Sequence, residues 1–256
     1  MKLSVIIPVY NEEATIDEVI DKVRTVEIPT AKEIIVVDDG STDSTSEILE
    51  RRQQDVTFLH FSRINFGKGA AIRVGLTYVT GEIVIIQDGD LELDPAEYKL
   101  LLDPILTDQA EVIYGSRFLK PNANIPRHTV WANKFLTWFT NLLYGSRLTD
   151  METAYKAFRT DVIKSIDLKC HRFDFEPEVT AKLILAGHEI REVPISYNPR
   201  TPEEGKKINW RDGVTAISTL IKYRLAPSDS NPTPDSGQPY TLSVGDVDNF
   251  DEGGST

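Results

Sequence analysis

Short runs of apolar and β-branched residues alternate with amphipathic stretches through the first half of the chain. The runs at 3–9, 33–37, 57–61, 83–87 and 111–114 have the length and composition of buried strands. Between them apolar residues return every three or four positions, as Ile16, Val19, Ile20 and Val23 do within 14–26. Similar faces in 44–53, 68–79 and 96–105 predict further helices. Asn11 and Ser41 suit helix starts or turns. This order predicts an α/β fold with a mostly parallel central sheet flanked by helices, which binds ligands at the carboxyl ends of its strands.

The second half is less regular. A helix rich in Trp and Phe is expected at 130–144, a buried helix at 175–186, a strand at 189–195 and an amphipathic helix at 213–223. The face made by Trp131, Phe135, Trp138, Phe139, Leu142 and Tyr144 has core packing as its commoner meaning and a membrane interface as the alternative. From 226 onward Ser, Pro, Gly, Thr and Asp dominate, so 226–256 is expected to be an acidic disordered tail.

Charge sharpens this division. Positions 1–119 hold 11 basic and 22 acidic residues, 120–225 hold 17 and 12, and 226–256 hold none and six. An acidic front half suits a divalent cation, and a basic later half suits phosphates or an anionic membrane. Charges scattered over a solvated surface are the plain alternative. An acidic chain without a basic, aromatic groove argues against nucleic acid. Cys170 is the single cysteine and reads as packing, which points to a reducing, cytoplasmic compartment. The opening apolar run is too short for a signal peptide, and no stretch is long enough to span a bilayer, so membrane contact would be peripheral.

Three acidic or aromatic turns each close a predicted strand. Asp88-Gly89-Asp90-Leu91-Glu92 follows the run at 83–87, and its carboxylates can hold a hard cation such as Mg²⁺ or Mn²⁺. A polar β-turn with Gly89 in a special backbone conformation explains the same residues. Val37-Asp38-Asp39-Gly40-Ser41 ends the second strand; Asp39 can accept hydrogen bonds from a base or ribose, or cap a helix. Pro8-Val9-Tyr10-Asn11-Glu12 ends the first, offering a ring for stacking and a carboxylate.

Together with Asn65-Phe66-Gly67-Lys68-Gly69, these segments resemble the family 2 glycosyltransferases of GT-A fold, and most closely their dolichyl-phosphate mannose or glucose synthase branch. The resemblance runs from Met1 to about Tyr223. It implies one domain over 1–225, with a nucleotide-sugar-binding half to about 119 and an acceptor- or membrane-facing half beyond. By resemblance Pro8, Tyr10, Glu12, Val37 and Asp39 line the nucleotide pocket. Asp88, Gly89 and Asp90 match the Asp-x-Asp motif, with Asp90 and Glu92 as metal ligands and Asp88 near sugar and ribose. The branch often has Ala and Gln where Gly89 and Glu92 stand here, which leaves the metal preference open.

Further along, Gly115-Ser116-Arg117-Phe118 matches a segment that brings an arginine to the donor, and a guanidinium suits a pyrophosphate. Arg200 and Lys206 fit a loop in which an arginine and a lysine six residues apart engage phosphates. The segments 150–156 and 173–178 also resemble the branch, with Glu176 or Asp174 orienting a substrate or capping a helix. The implied reaction moves mannose or glucose with inversion from GDP-mannose or UDP-glucose to a polyprenyl or dolichyl phosphate, with Asp88, Asp90, Arg117, Arg200 and Lys206 carrying it. A soluble or other acceptor, or a non-catalytic nucleotide-binding subunit, are the alternatives.

Overall fold

A computed structural model describes residues 1–122, 125–200 and 210–225, and the side chains of these except 210 and 211. The expected tail and Lys206 fall outside the described residues. Seven strands form one sheet: β1 (Lys2–Val9), β2 (Ala31–Asp38), β3 (Phe58–Phe61), β4 (Ile83–Ile86), β5 (Val112–Ser116), β6 (Lys156–Arg159) and β7 (Ile190–Pro194). Their spatial order is β3-β2-β1-β4-β6-β5-β7. Every neighbouring pair is parallel except those made by β6, which runs antiparallel to both β4 and β5.

Alternation along β1 shows why the sheet is buried on both faces. Leu3, Val5, Ile7 and Val9 pack with Ile16, Val19, Ile20 and Val23 of α1 (Ile16–Thr25) and with Tyr98, Leu101 and Ile105 of α4 (Tyr98–Leu106). Ile6 faces the other way, against Ala71, Ile72 and Leu76 of α3 (Lys68–Tyr78) and the layer holding Phe175 and Val179 of α7 (Phe175–Leu185). The helix α2 (Thr45–Arg51) follows β2, and α6 (Thr160–Lys164) follows β6. A third cluster, with Leu136, Met151, Ala181, Ala216 and Leu220, joins α5 (Arg127–Tyr144), α7 and α8 (Trp210–Leu225).

Three expectations change. The strand β6 and helix α6 are absent from the sequence reading, because a four-residue strand opening on a lysine carries no alternation to see. Lys156 is nonetheless fully buried: its ammonium donates to the Met151 carbonyl at 3.0 Å and to that of Thr153, and it sits 4.2 Å from the Tyr114 ring centroid. The apolar face of α5 is split: Phe139 and Tyr144 pack against the third cluster, whereas Trp131, 75% exposed, and Trp138, 56% exposed, form with Phe135 and Leu142 a stripe outside the core, while Leu136, Thr137 and Thr140 turn inward. Gly89 is not among the described glycines with positive φ, which are Gly40, Gly67, Gly145 and Gly187, so no special conformation explains it.

Candidate active site

The site lies along the carboxyl ends of β1, β2 and β4, where the acidic turns meet. The first two turns are laced together: the Asp39 amide donates to the Val9 carbonyl at 2.8 Å, the Asn11 amide to Ser41 Oγ at 2.9 Å, and the Glu12 amide to Thr45 Oγ1 at 2.9 Å. Thr15 Oγ1 donates to the Gly89 carbonyl at 2.8 Å and ties the first turn to the third. Pro8 and Val37 are buried, with Val37 in the core against α3. Tyr10 is half-buried at their edge.

Asp39 is buried, and its two oxygens accept the amides of Phe66 at 3.0 Å and Gly67 at 2.6 Å. Burial pushes its carboxyl up, and those two amides oppose the shift. This contact gives the Asn65-to-Gly69 motif a physical role. Gly67 has φ 103°, and a Cβ there would stand 2.5 Å from the His171 carbonyl oxygen. Only glycine lets this turn pass so close to the segment before α7 while aiming its amide at Asp39. Asp38 instead accepts from the Ser41 amide at 3.0 Å and from Ser46 Oγ, and so holds its own turn.

Lys68 opens α3 and bridges Asp88 Oδ1 at 2.8 Å to Glu176 Oε1 at 3.0 Å. Burial acts to lower its ammonium, and the two carboxylates more than reverse this, raising it. Lys68 is a site residue that the motif contained without a role; its partner Glu176 stands 108 positions away, beyond the reach of local pattern. Asp174 accepts from the amides of His171 at 3.1 Å and Arg172 at 2.8 Å, a turn-holding role.

On the other side of the third turn, Glu12, Asp90 and Glu92 surround Arg200. Its Nη1 donates to Glu12 Oε2 at 2.8 Å, its Nη2 to Asp90 Oδ2 at 2.6 Å, and its backbone amide to Glu92 Oε1 at 2.9 Å. Tyr197 OH donates to Glu92 Oε2 at 2.9 Å. Burial and then the neighbouring charges of Asp88 and Glu92 push the Asp90 carboxyl up, and Arg200 opposes them. The carboxylates are spread around the guanidinium: among the described residues no three His, Cys, Asp or Glu side chains form a ready ligand set.

Arg117 follows β5, and its Nε and Nη2 each lie 2.7 Å from Asp150, whose Oδ2 also accepts the Arg117 amide at 3.0 Å. The Tyr197 ring covers the guanidinium at 5.1 Å. One edge of the fork, Nε with Nη2, therefore serves both oxygens of Asp150, and Tyr197 links Arg117 to Glu92. Glu152 lies beside this pair, with Oε1 buried and lacking a hydrogen-bond partner among the described residues. Burial, and then the charge of Glu176, raise its carboxyl. At the opposite edge of the sheet, a depression of about 340 Å³ is lined by Asp108, Arg159, Glu189 and Arg191. Arg159 there pairs with Asp108 at 2.9 Å and Arg191 with Glu189 at 3.2 Å, leaving no convergent chemistry.

A seven-stranded, mostly parallel sheet flanked by helices, with acidic turns at the carboxyl ends of its strands, defines a GT-A architecture. The sequence profile of glycosyl transferase family 2 matches residues 4–167, and the chain belongs to that family. Over 230 residues it is 29% identical to the undecaprenyl-phosphate 4-deoxy-4-formamido-L-arabinose transferase of Salmonella choleraesuis (strain SC-B67), covering 85% of this chain and 68% of that protein. It is 30% identical to an uncharacterized protein of Methanocaldococcus jannaschii, covering 86% and 90%. Among solved structures, glucosyl-3-phosphoglycerate synthase of Mycobacterium tuberculosis with Mn²⁺, uridine diphosphate and phosphoglyceric acid superposes with TM-score 0.68 at 21% identity, covering 89% of this chain and 80% of the other. A further complex of that synthase, with Mn²⁺, UDP-glucose and phosphoglyceric acid, gives 0.67 at 22% identity, covering 89% and 81%.

Proposed function

We propose that this protein is an inverting, metal-dependent glycosyltransferase that moves mannose or glucose from GDP-mannose or UDP-glucose to a polyprenyl or dolichyl phosphate at a membrane surface. The observation that carries this reading is the gathering of Glu12, Asp90 and Glu92 around one positive charge at the sheet edge. Their hard carboxylate oxygens suit Mg²⁺ or Mn²⁺ in kind, with Asp90 and Glu92 as the ligands, although among the described residues no three stand as a ready set. Bound there, the cation would offset charge on the departing diphosphate.

The chain's own residues supply the rest. In this reading Pro8, Tyr10, Glu12, Val37 and Asp39 form the nucleotide end, with Gly89 beside them, and Asp88, held by Lys68, faces the sugar and ribose. Arg200 and Lys206 bind phosphates, and Arg117 stands behind Tyr197 as a fixed positive charge. The acceptor phosphate has a second pKa of about 6 and is anionic near neutral pH, so no protein base is required. Its oxygen attacks the anomeric carbon opposite the diphosphate, and the breaking carbon–oxygen bond leaves its electron pair on the diphosphate. An α-linked donor thus yields a β-linked product.

The exposed stripe of α5 supports a lipid acceptor. Trp131, Phe135, Trp138 and Leu142 recur on one face, and Arg127, His128 and Lys134 lie on the same helix. Aromatic residues with basic neighbours suit the headgroup level of a bilayer. Val214, Ile221 and Leu225 of α8 are exposed too, and α8 ends with Lys222 and Arg224. Among the described residues no helix is long and apolar enough to cross a membrane, so this attachment would be peripheral, on the cytoplasmic side. The relative in Salmonella is by name an undecaprenyl-phosphate transferase, which accords with the same acceptor class.

The test is a transfer assay with purified protein, Mn²⁺ or Mg²⁺ and a short-chain polyprenyl phosphate, offering GDP-mannose and UDP-glucose separately. Metal-dependent lipid-linked sugar, reduced at least a hundredfold by Asp90→Ala, is the expected outcome, on the scale of losing one electrostatic stabiliser of a transition state, about 10²–10³. Donor turnover without lipid product would replace the acceptor by a soluble one.

A further inference from the structure

Ahead of β6 the backbone is fixed on both sides of one residue. The Asp150 amide donates to Glu192 Oε1 at 2.9 Å and the Met151 amide to Thr137 Oγ1 at 3.0 Å, while the Lys156 ammonium takes the carbonyls of Met151 and Thr153. Between them stands Glu152, whose own carboxyl is unspent: Oε1 is buried and has no hydrogen-bond partner among the described residues. The residue as a whole is half-buried, so it borders a space instead of lying enclosed in the core. Its place in the fold says which space. β6 pairs with β4 through Ile85↔Ala157 and with β5 through Tyr114↔Lys156. The residues just before β6 therefore emerge between the turn that carries Asp88, after β4, and Arg117, after β5.

The surroundings favour the neutral form of this carboxyl. Burial and then the charge of Glu176 raise its affinity for a proton, Asp150 adds to them, and Lys156 and Arg117 oppose. Both cations have other partners: Lys156 its carbonyls, and Arg117, through Nε and Nη2, Asp150. A protonated carboxyl offers one O–H donor and one carbonyl acceptor, and leaving such a group unpaired in a dry place is unfavourable. A partner that completes it must both accept and donate, and must tolerate the charges of Glu176 and Asp150. An uncharged hydroxyl meets those conditions and a phosphate does not. Resting on the functional reading above, we propose that Glu152 is a specificity-determining residue of the transfer, hydrogen-bonding a hydroxyl of the sugar that lies between Asp88 and Arg117. A sugar that lacks this hydroxyl, or presents it in the opposite configuration, leaves Oε1 as unpaired as it is in the empty protein and is selected against. Choice of sugar at this position then belongs to a residue outside the three acidic turns, and is separable from nucleotide binding.

Calorimetry on the full chain, with Mn²⁺ in the buffer, compares UDP with UDP-glucose and GDP with GDP-mannose, for the parent and for Glu152→Met, Glu152→Ala and Glu152→Gln. The readout is the ratio of the two dissociation constants within each pair, which isolates the sugar. Glu152→Met and Glu152→Ala, which lack polar side-chain groups able to replace the carboxyl, are expected to bind the nucleotide sugar about tenfold more weakly while holding the nucleoside diphosphate within about twofold of the parent. Glu152→Gln keeps a donor and an acceptor and is expected to stay near the parent in both. An unchanged ratio in whichever of the two truncated variants folds would overturn the inference and leave nucleotide binding, and the functional reading with it, in place. Equal weakening of diphosphate and nucleotide sugar would also overturn it, making Glu152 a support for the neighbouring turns. Failure of the parent to bind any of the four ligands would remove the functional reading and the inference together.

Discussion

Replacing Asp150 by Asn deletes one negative charge from beside Arg117 and leaves the side chain's size unchanged. Asp150 is fully buried and accepts from Nε, Nη2 and the backbone amide of Arg117. The guanidinium is itself buried, and burial would lower its affinity for a proton had the charge of Asp150 not more than compensated. An Asn side chain offers one acceptor oxygen and turns an NH₂ group toward the guanidinium, so at least one N–H loses its partner. Removing one member of a buried ion pair costs about 3–5 kcal/mol, because the surviving charge stays out of water. In a domain of this size that corresponds to a drop in melting temperature of about 10 °C. Urea unfolding followed by far-UV circular dichroism, with the midpoint and slope fitted separately, measures it. A loss under about 1 kcal/mol would refute the reasoning by showing that water relaxes around Arg117. A raised KM for the donor at unchanged stability would assign the pair to binding instead of support.

Two further outcomes follow from buried charges elsewhere. Glu33, at the opposite end of β2, is nearly fully buried and receives bonds from Ser4, from the Thr80 hydroxyl and amide, and from Lys2. Burial alone would raise its carboxyl, but Lys2 and these donors hold it at about 2 against an ordinary 4.5. A depressed carboxyl stabilises the fold above its unfolded value and loses that contribution as pH falls. Glu33→Gln should therefore cost about 2 kcal/mol at pH 6, a figure reduced because Lys2 is partly exposed, and the gap should close between about pH 4.5 and 2. A gap independent of pH in that window, seen by urea melts, would contradict this. Lys68→Met leaves Asp88 and Glu176 facing each other and should lower kcat/KM about a hundredfold, with partial recovery on adding Glu176→Gln; a double variant no better than the single one would argue against the bridge.

The fold was legible where chemistry is local. Leu3 to Val9 is apolar because both faces of a central strand are covered, and the α1 pattern is apolar on one face because only one face meets the sheet. The acidic turns were legible as well, since each closes a visible strand. What pattern could not supply was pairing. Nothing near Arg200 indicates that Glu12, 188 positions earlier, receives it, and nothing near Arg117 singles out Asp150. The reversal of β6 was hidden because its four residues include a buried lysine, whose charge is tolerated through carbonyls, an aromatic ring and the carboxylates of Glu176, Asp150 and Glu152 that three-dimensional packing provides. The apolar face of α5 had two readings because periodicity reports amphipathicity without saying what lies against it.

That reversal also governs the path of the chain. A strand parallel to its predecessor obliges the chain to cross the whole molecule before returning, whereas an antiparallel neighbour brings it back to the edge it left. The chain departs from Ser116 at the end of β5 and re-enters at Lys156 at the start of β6, both on the rim that carries Asp88 and Asp90. The interval between them, including all of α5 with its exposed aromatics, is an excursion anchored at both feet beside the acidic turn after β4. Lengthening or reshaping that excursion changes what meets the rim without touching the sheet.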